Sequence, residues 1–515
     1  MVKKMISQLS VLAVLTVFLA ACSKNTEYTN VIPADASAVA SVNLKSLAGK
    51  AGLDSKENEA AKQKLLEALK SGMNAATFQQ LEKVIKNPSQ SGIDVESPFY
   101  IFTSPTFPEP IVVARIGSES DLKASLEVMA KEQICQPLSE GEGFSFTQMD
   151  KGILAFNAST AIIIPMQSSS QIEDVKKNIA TLMKQTADNS IGKSGAFQKM
   201  EKQKDDINFF ASMAAIPASY RDQISFGLPS TIQPGDITII GGLNFDKGKI
   251  ALKTENYTEN EAVKTLLKKQ QEAFGKTNDK FTKYFPASTL LFFNLGVKGE
   301  GLYDLLNENE EFRNTVSIAK AAEVKDLFSS FNGDISAGLI NVTMNSAPTF
   351  LGFAEVKNNK ALEAIYKNKQ NLNLKKGDDI LELGKDEYVY KTSGMNIFFG
   401  IKDKQMYATN DELLYKGIGK AADKSVKDAP YASDMKGKSF FMALNADAVL
   451  DLPVVKMLVG FGGEEFKTYS NLASKVSYLS MSIEGEVNEV DLCLKDKDTN
   501  ALKQIVDFAK QFAGM

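Results

Sequence analysis

Apolar and polar positions alternate along this chain in short runs separated by turn residues. Val39-Ala40-Ser41-Val42, entered through Ile32-Pro33-Ala34-Asp35, predicts a strand. Leu290-Leu291-Phe292-Phe293, entered through Phe285-Pro286-Ala287-Ser288, predicts another. Gly143 to Phe156 followed by Ala161 to Pro165 reads as a meander, and so does Asp236 to Leu252. Helical spacing appears instead over Asn58 to Leu69 and Ser118 to Met129. Strands that come in adjacent pairs need only tight turns, which favours antiparallel pairing. The pattern therefore predicts an α+β fold, with a mainly antiparallel sheet and helices packed on one face.

The pattern also repeats at an offset of about 240 residues. Pro110-Ile111-Val112-Val113-Ala114-Arg115-Ile116 with Leu122 aligns with Pro348 to Val356 with Leu362, a strand feeding an amphipathic helix each time. Ile153-Leu154-Ala155-Phe156 falls opposite Ile397-Phe398-Phe399-Gly400. The hairpin Leu243 to Leu252, turning at Asp246-Lys247-Gly248, matches Ile483 to Leu492 around Gly485. In the helix that follows, Ala262, Val263, Leu266, Leu267 and Phe274 match Ala501, Leu502, Ile505, Val506 and Phe512. These matches are collinear, and they predict two tandem related domains at 28–280 and 281–515, joined through Gly275 to Lys280.

The N-terminus carries a different signal. Lys3 and Lys4 precede the apolar run Val11 to Leu19, which is too short to remain as a spanning helix and reads as a signal peptide over residues 1–21. It ends in Leu19-Ala20-Ala21-Cys22, which looks like a bacterial lipobox. Diacylglycerol on the Cys22 sulfur and a further acyl chain on its freed amine would give a stable anchor, with residues 22–30 as the lipidated tether. Ser23 stands where an inner-membrane retention signal would have Asp, so the expected site is the outer membrane, with its periplasmic or external face left open. A formal net charge of −4 offers no clustered basic surface for nucleic acid and no polybasic grip on lipid. The membrane contact expected is the lipid on Cys22.

Composition then removes most familiar chemistry. The chain has no histidine, which excludes Ser-His-Asp and Cys-His catalysis, HExxH zinc sites and His-ligated haem. Beyond Cys22 only Cys135 and Cys493 remain, as free thiols or as one long-range bridge. Gly192-Lys193-Ser194 and Gly437-Lys438-Ser439 end like a phosphate loop, but Ala187 and Ala432 occupy the required first glycines. Gly460-Phe461-Gly462-Gly463 has Glu465 where a dinucleotide fingerprint needs its last glycine. Asp496-Lys497-Asp498-Thr499-Asn500 spaces oxygen ligands like a calcium loop, yet Ala501 replaces the turn glycine, so Asp498 or Thr499 is read as a helix cap.

Two enzymatic alternatives stay open. Ser317 and Lys320 form a Ser-x-x-Lys pair, followed by Tyr366-Lys367-Asn368 and Lys391-Thr392-Ser393-Gly394 in an order similar to penicillin-recognising enzymes, with one residue inserted in the last element. The acidic pairs Asp378-Asp379, Glu464-Glu465 and Glu310-Glu311 are the other, as acid and base or as surface charge. A third alternative is carriage of a hydrophobic ligand, with Leu290 to Phe293, Ile397 to Phe399 and Phe440 to Met442 as walls or as plain core.

Tyr28-Thr29-Asn30-Val31-Ile32-Pro33-Ala34-Asp35-Ala36 and Val39 to Leu44 resemble the opening of a Bacteroidetes envelope lipoprotein family known only as a domain of unknown function. Gly92-Ile93-Asp94-Val95-Glu96-Ser97-Pro98-Phe99-Tyr100-Ile101-Phe102 is similar to a second feature of that family. The resemblance implies a gut-type anaerobe, a lipid anchor and no known activity, and it carries over no catalytic or ligand residue. The expectation is a non-catalytic binding or scaffold lipoprotein, with no cofactor and no metal. Its partner is an envelope protein or a small hydrophobic ligand that the sequence does not name.

Overall fold

The structure is a computed structural model. It describes residues 27–53, 75–166, 171–219, 232–315, 321–344, 346–367 and 374–513, with Glu59, Lys62, Gln63, Leu66, Glu67, Lys70 and Lys369. Most of the helix expected over Asn58 to Leu69 thus lies outside the described residues.

The first half of the chain runs β1 (Ala38–Val42), α1 (Leu44–Lys50), α2 (Ala75–Lys86), β2 (Phe99–Thr103), β3 (Ile111–Arg115) and α3 (Glu119–Lys131). A meander follows, β4 (Ser139–Glu140), β5 (Ser145–Met149), β6 (Gly152–Phe156) and β7 (Thr160–Pro165). Then come α4 (Ile172–Met183), α5 (Gly195–Met200), β8 (Ile207–Ser212), the hairpin β9 (Thr238–Asp246) and β10 (Lys249–Tyr257), and α6 (Glu261–Ala273). After the short β11 (Phe274–Gly275) the second half runs β12 (Leu291–Lys298), α7 (Gly299–Leu306), α8 (Glu310–Thr315), α9 (Ala321–Ser330), β13 (Phe331–Asn341), β14 (Thr349–Val356) and α10 (Lys360–Lys367). Its own meander is β15 (Asp379–Gly384), β16 (Glu387–Lys391), β17 (Asn396–Lys402) and β18 (Gln405–Thr409). The end is α11 (Glu412–Lys416), β19 (Phe440–Asn445), α12 (Ala446–Asp451), α13 (Pro453–Phe461), α14 (Glu464–Ser474), the hairpin β20 (Val476–Glu484) and β21 (Val487–Leu494), and α15 (Ala501–Ala513).

The pairings are antiparallel and the class is α+β. Strand order is β9-β8-β1-β2-β3-β7-β6-β5-β4 in the first half. In the second half it is β20-β19-β12-β13-β14-β18-β17-β16-β15. The two orders correspond strand for strand. Even an isolated bridge recurs, Pro33 with Ser190 and Pro286 with Ser425, beside the amide bonds Ile191 to Ile32 and Val426 to Phe285, both 2.9 Å.

The compact units nevertheless cut the chain along other lines than 28–280 and 281–515. One unit holds residues 1–217, 237–247 and 498–515, and the other holds 218–236 and 248–497. In the first unit α15 packs on α1 and β9. Asn500 fastens its start, donating from Nδ2 to the Phe245 carbonyl at 2.7 Å while its Oδ1 accepts the Leu502 amide at 2.9 Å. The cap is therefore Asn500, one residue beyond Thr499 and two beyond Asp498, the caps expected. In the second unit α6 packs on α7 and β12, and β10 pairs with β21 so that Ala251 faces Asp491. Each hairpin's helix thus closes on the first helix of the other half of the chain.

Helices on one sheet face is also corrected. In the first unit α3, capped by Ser118 accepting the Asp121 amide, buries Leu122 and Leu126 against Ala114, Phe156 and Ala161. On the opposite face Phe197 of α5 packs, tilted, at 6.0 Å from Tyr100, which in turn meets Tyr28 at 5.7 Å. The reason lies in the strands: Ile111-Val112-Val113-Ala114 and Ala161-Ile162-Ile163-Ile164 are continuous apolar runs, the mark of burial on both faces.

In the second unit the largest core joins Phe281, Phe285, Phe292, Phe353, Tyr407, Tyr431, Phe441 and Tyr478, and a smaller one joins Leu362 of α10 to Ile380, Tyr388 and Phe399. The stretch Gly275 to Lys280, expected as a linker, is built into this unit. Asp334, fully buried, accepts the amides of Asn278 and Lys280 at 2.9 Å, and Thr277 donates its amide to Lys438. A polar stretch looks like a linker until its backbone partners are known.

Candidate functional site

The apolar runs proposed as ligand walls split between two sheet faces in the second unit. Phe292, Phe441 and Phe399 point into the closed cores. The neighbours of Phe292 and Phe441 share the other face, which is also the face of Phe399, because register puts Leu291 opposite Leu444, Phe293 opposite Met442, Met442 opposite Met481 and Leu444 opposite Leu479. Phe293 and Phe440 meet edge to face at 5.4 Å. None of these side chains is buried: Leu291, Phe293, Phe440, Met442 and Met481 are half-buried, and Leu444 and Leu479 are exposed. This is an apolar sheet face without full cover, and it is the candidate site.

Next to it, α12 and α14 pack against β20, with α13 between them. Among their described side chains not one is buried. Sequence pattern found the apolar runs but did not sort their faces; pairing register, which is long-range, does that.

The ionisable groups sit on the opposite face and are tied down. Lys249 Nζ lies 2.6 Å from Asp491 Oδ2 and 3.1 Å from Glu489 Oε1. Burial pulls its ammonium down, but these two carboxylates outweigh that and hold it above its ordinary range. Burial raises the Asp491 carboxyl against the pull of Lys249, whereas at Glu489 the lysines win and the carboxyl is lowered. Tyr478 donates to Asp434 Oδ2 at 2.6 Å. Burial, reinforced by that bond, raises the Tyr478 phenol, and burial likewise raises the Cys493 thiol beside it. A thiol pushed up is a poor nucleophile. Glu489, Asp491 and Cys493 alternate with Val490 and Leu492, which puts the three on one face of β21.

Cys135 and Cys493 are both free and buried, which settles their alternatives. With Cys22 replaced, both are expected to resist a thiol reagent in buffer and to react fully in urea; rapid labelling of either in buffer would contradict their burial.

The remaining candidates disperse. Cys22 lies outside the described residues, and so do Ser317 and Lys320. Tyr366 packs at 4.6 Å from Tyr388, and Thr392 closes an ordinary turn by donating to the Met395 carbonyl at 2.8 Å. Asp379 pairs with Lys369 at 3.0 Å, while Asp378 accepts from Tyr390 at 2.7 Å, so this acid pair is committed to surface contacts. Glu310 starts α8 and Glu464 starts α14. Lys193 pairs with Asp188 and Lys438 with Glu484, not with any phosphate cradle. In the first unit an open pocket of about 230 Å³ is lined by Glu27, Asn30, Asn157, Ser159 and Gln185 among others. There the Asn157 amide oxygen is taken up by its own turn, accepting the amides of Ser159 and Thr160. Among the described residues no group of three acidic or thiol side chains is placed to hold a metal, and no helix is long and apolar enough to cross a membrane.

A comparison with curated proteins finds no match. Among solved structures, crystal forms IV, I and III of TP0453 align at 9%, 8% and 10% identity, over 45%, 48% and 48% of this chain and 81%, 87% and 88% of theirs. Their TM-scores of 0.26, 0.27 and 0.25 are too low to support an inference about fold or function. A family model does match, over residues 28–502, nearly the whole chain. The chain belongs to the family defined by the domain of unknown function DUF4836.

Proposed function

We propose that the protein is a bacterial outer-membrane lipoprotein anchored through lipid on Cys22, built from two copies of one domain, and working by binding rather than by catalysis. Its bound partner is an apolar one, of the acyl-chain type. The observation that carries this is the Leu291-Phe293-Phe440-Met442-Leu444-Leu479 face, apolar across three strands and left without full cover. Apolar area kept half in water forgoes about 25 cal/mol per Å² that an apolar ligand would recover. The matching strand orders support the duplication. Raised thiols and ion-paired acids support the non-catalytic reading.

Native mass spectrometry of the Cys22→Ser chain, set against its denatured mass, tests the binding. Extra mass that disappears on denaturation, and that falls when Phe293 and Met442 are made serine, is expected; a clean mass from a native-like host would overturn the apolar-ligand reading. The anchor has its own test. Metabolic labelling with an alkyne fatty acid should mark the parent and not Cys22→Ser, and an unlabelled parent would remove the lipid anchor.

A further inference from the structure

We propose that the outer edge of β15 is a latent pairing site for a second copy of this chain, held closed by Lys369 and Asp379. In the second unit β15 pairs with β16 on one side, and among the described residues no strand pairs with its other side. An edge of this kind carries amides and carbonyls that another chain can use. Its counterpart in the first half, β4, is only the two residues Ser139 and Glu140, so shortness alone makes that edge a poor template. Strand β15 runs six residues, with Ile380-Leu381-Glu382-Leu383 at its centre. Leu381 is 37% exposed and Leu383 48%.

What closes this edge is a pair of side chains. Thr392 donates its amide to the Met395 carbonyl across the β16–β17 turn at 3.1 Å, so Tyr390, two residues earlier, bonds toward β17. Its β15 neighbour Ile380 therefore turns its own amide and carbonyl outward, and so does Glu382. Both outward groups of Ile380 are already occupied. Lys369 Nζ donates to the Ile380 carbonyl at 2.9 Å, and the Ile380 amide donates to Asp379 Oδ1 at 2.8 Å. The two side chains also hold one another, Nζ to Oδ1 at 3.0 Å. Tyr366 of α10 braces the lysine, its ring centre 5.4 Å from Nζ. The hydrogen bond from Lys369 keeps the Asp379 carboxyl below its ordinary range, so the guard stays charged at neutral pH. Beyond Glu382 the register slips before Gly384. An incoming strand must displace an ammonium and a carboxylate to reach Ile380, or else make do with Glu382.

A second copy is the occupant because antiparallel pairing is self-complementary. Two identical edges meet about a two-fold axis, each giving and taking the same bonds. Leu381 and Leu383 share one face of the strand, where the same two residues of the other copy would meet them. With β4 so short, each copy offers one long edge among the described residues, and pairing stops at a dimer.

Sedimentation of the Cys22→Ser chain with and without Lys369→Met, Asp379→Ala tests the guard. The parent should stay a monomer. The double variant should approach twice the parent's mass as concentration rises, with the Ile380 and Glu382 amides exchanging at least about tenfold more slowly than in dilute sample. Lys369→Met alone leaves the Ile380 amide capped and should associate less. Glu382→Pro added to the double variant removes an outward amide, which an edge strand tolerates, and should restore the monomer. The guard is a surface pair, so thermal melting should show the variants folded. A double variant as monomeric as the parent, association that Glu382→Pro does not cure, or a parent already paired with these amides protected would each overturn the proposal.

Discussion

Gly92→Ala should lower the stability of the protein by roughly 2–5 kcal/mol, the sum of a left-handed backbone forced on a residue with a side chain and of an overfilled contact. Gly92 has φ +87°, a region that L side chains rarely adopt. A Cβ there would also meet the Leu122 amide nitrogen at 2.2 Å, the Ser118 carbonyl oxygen at 2.5 Å and the Leu122 Cα at 2.6 Å. These are backbone atoms in the first turn of α3, held by Gly92 itself, whose carbonyl accepts the amides of Gly117 and Ser118. Nothing there is the loose end of a side chain that might swing aside. Gly143→Ala is the matched control, with φ +85° and no atom within 4 Å of its Cβ, so it carries the backbone strain alone. Urea unfolding of both variants separates the two terms. An equal loss in each would show that the close approach to α3 contributes nothing.

Lys249→Met should cost about 2–3 kcal/mol, less than for a fully buried pair because water reaches part of the lysine. Its loss strands Asp491, whose Oδ1 already has no hydrogen-bond partner, and weakens Glu489. The double variant Lys249→Met, Asp491→Leu should regain most of the stability, since removing a buried charge together with its partner is close to neutral. The pH dependence has a definite sign. Lys249 is held above its ordinary value, so, while its carboxylate partners are ionised, its contribution is complete below the ordinary lysine value and is lost as pH rises through the raised one. Asp491 is raised by burial, so stability falls as pH climbs from the ordinary aspartate value through the raised one. Without Lys249 the Asp491 carboxyl rises further and protonates more readily. The deficit of Lys249→Met should then be largest near neutral pH and shrink on acidification; a deficit that grows toward acid would contradict this account.

Local rules were legible in the sequence and long-range ones were not. Gly248 and Gly485, with φ +64° and +62°, sit at the hairpin turns that alternation predicts, and Leu122 with Leu126 mark the buried side of α3 as their spacing requires. The segments read as alternating in each half are strands, and the two halves have corresponding strand orders. What failed needed knowledge of partners far along the chain. Asn278 and Lys280 look like linker residues until Asp334, more than fifty positions away, is seen to accept their amides. Phe292 and Phe293 are equivalent in any hydropathy profile; only pairing, of Phe292 with Ala443 and of Phe293 with Met442, decides which of them enters a core. The Ser317 and Lys320 pair stays outside the described residues, so the geometry gives it no support.

The exchange of α6 and α15 between the halves bears on the order of events during synthesis. Helix α1 must wait roughly 450 residues for α15 to leave the ribosome before the unit that contains them both is complete. At about 5–20 residues per second that is a delay of roughly 20 to 90 seconds, long compared with the folding of an ordinary small domain. Early segments thus lack a complete tertiary partner while later ones are still being made, and under the lipoprotein reading proposed above such a delay would keep the chain open for export.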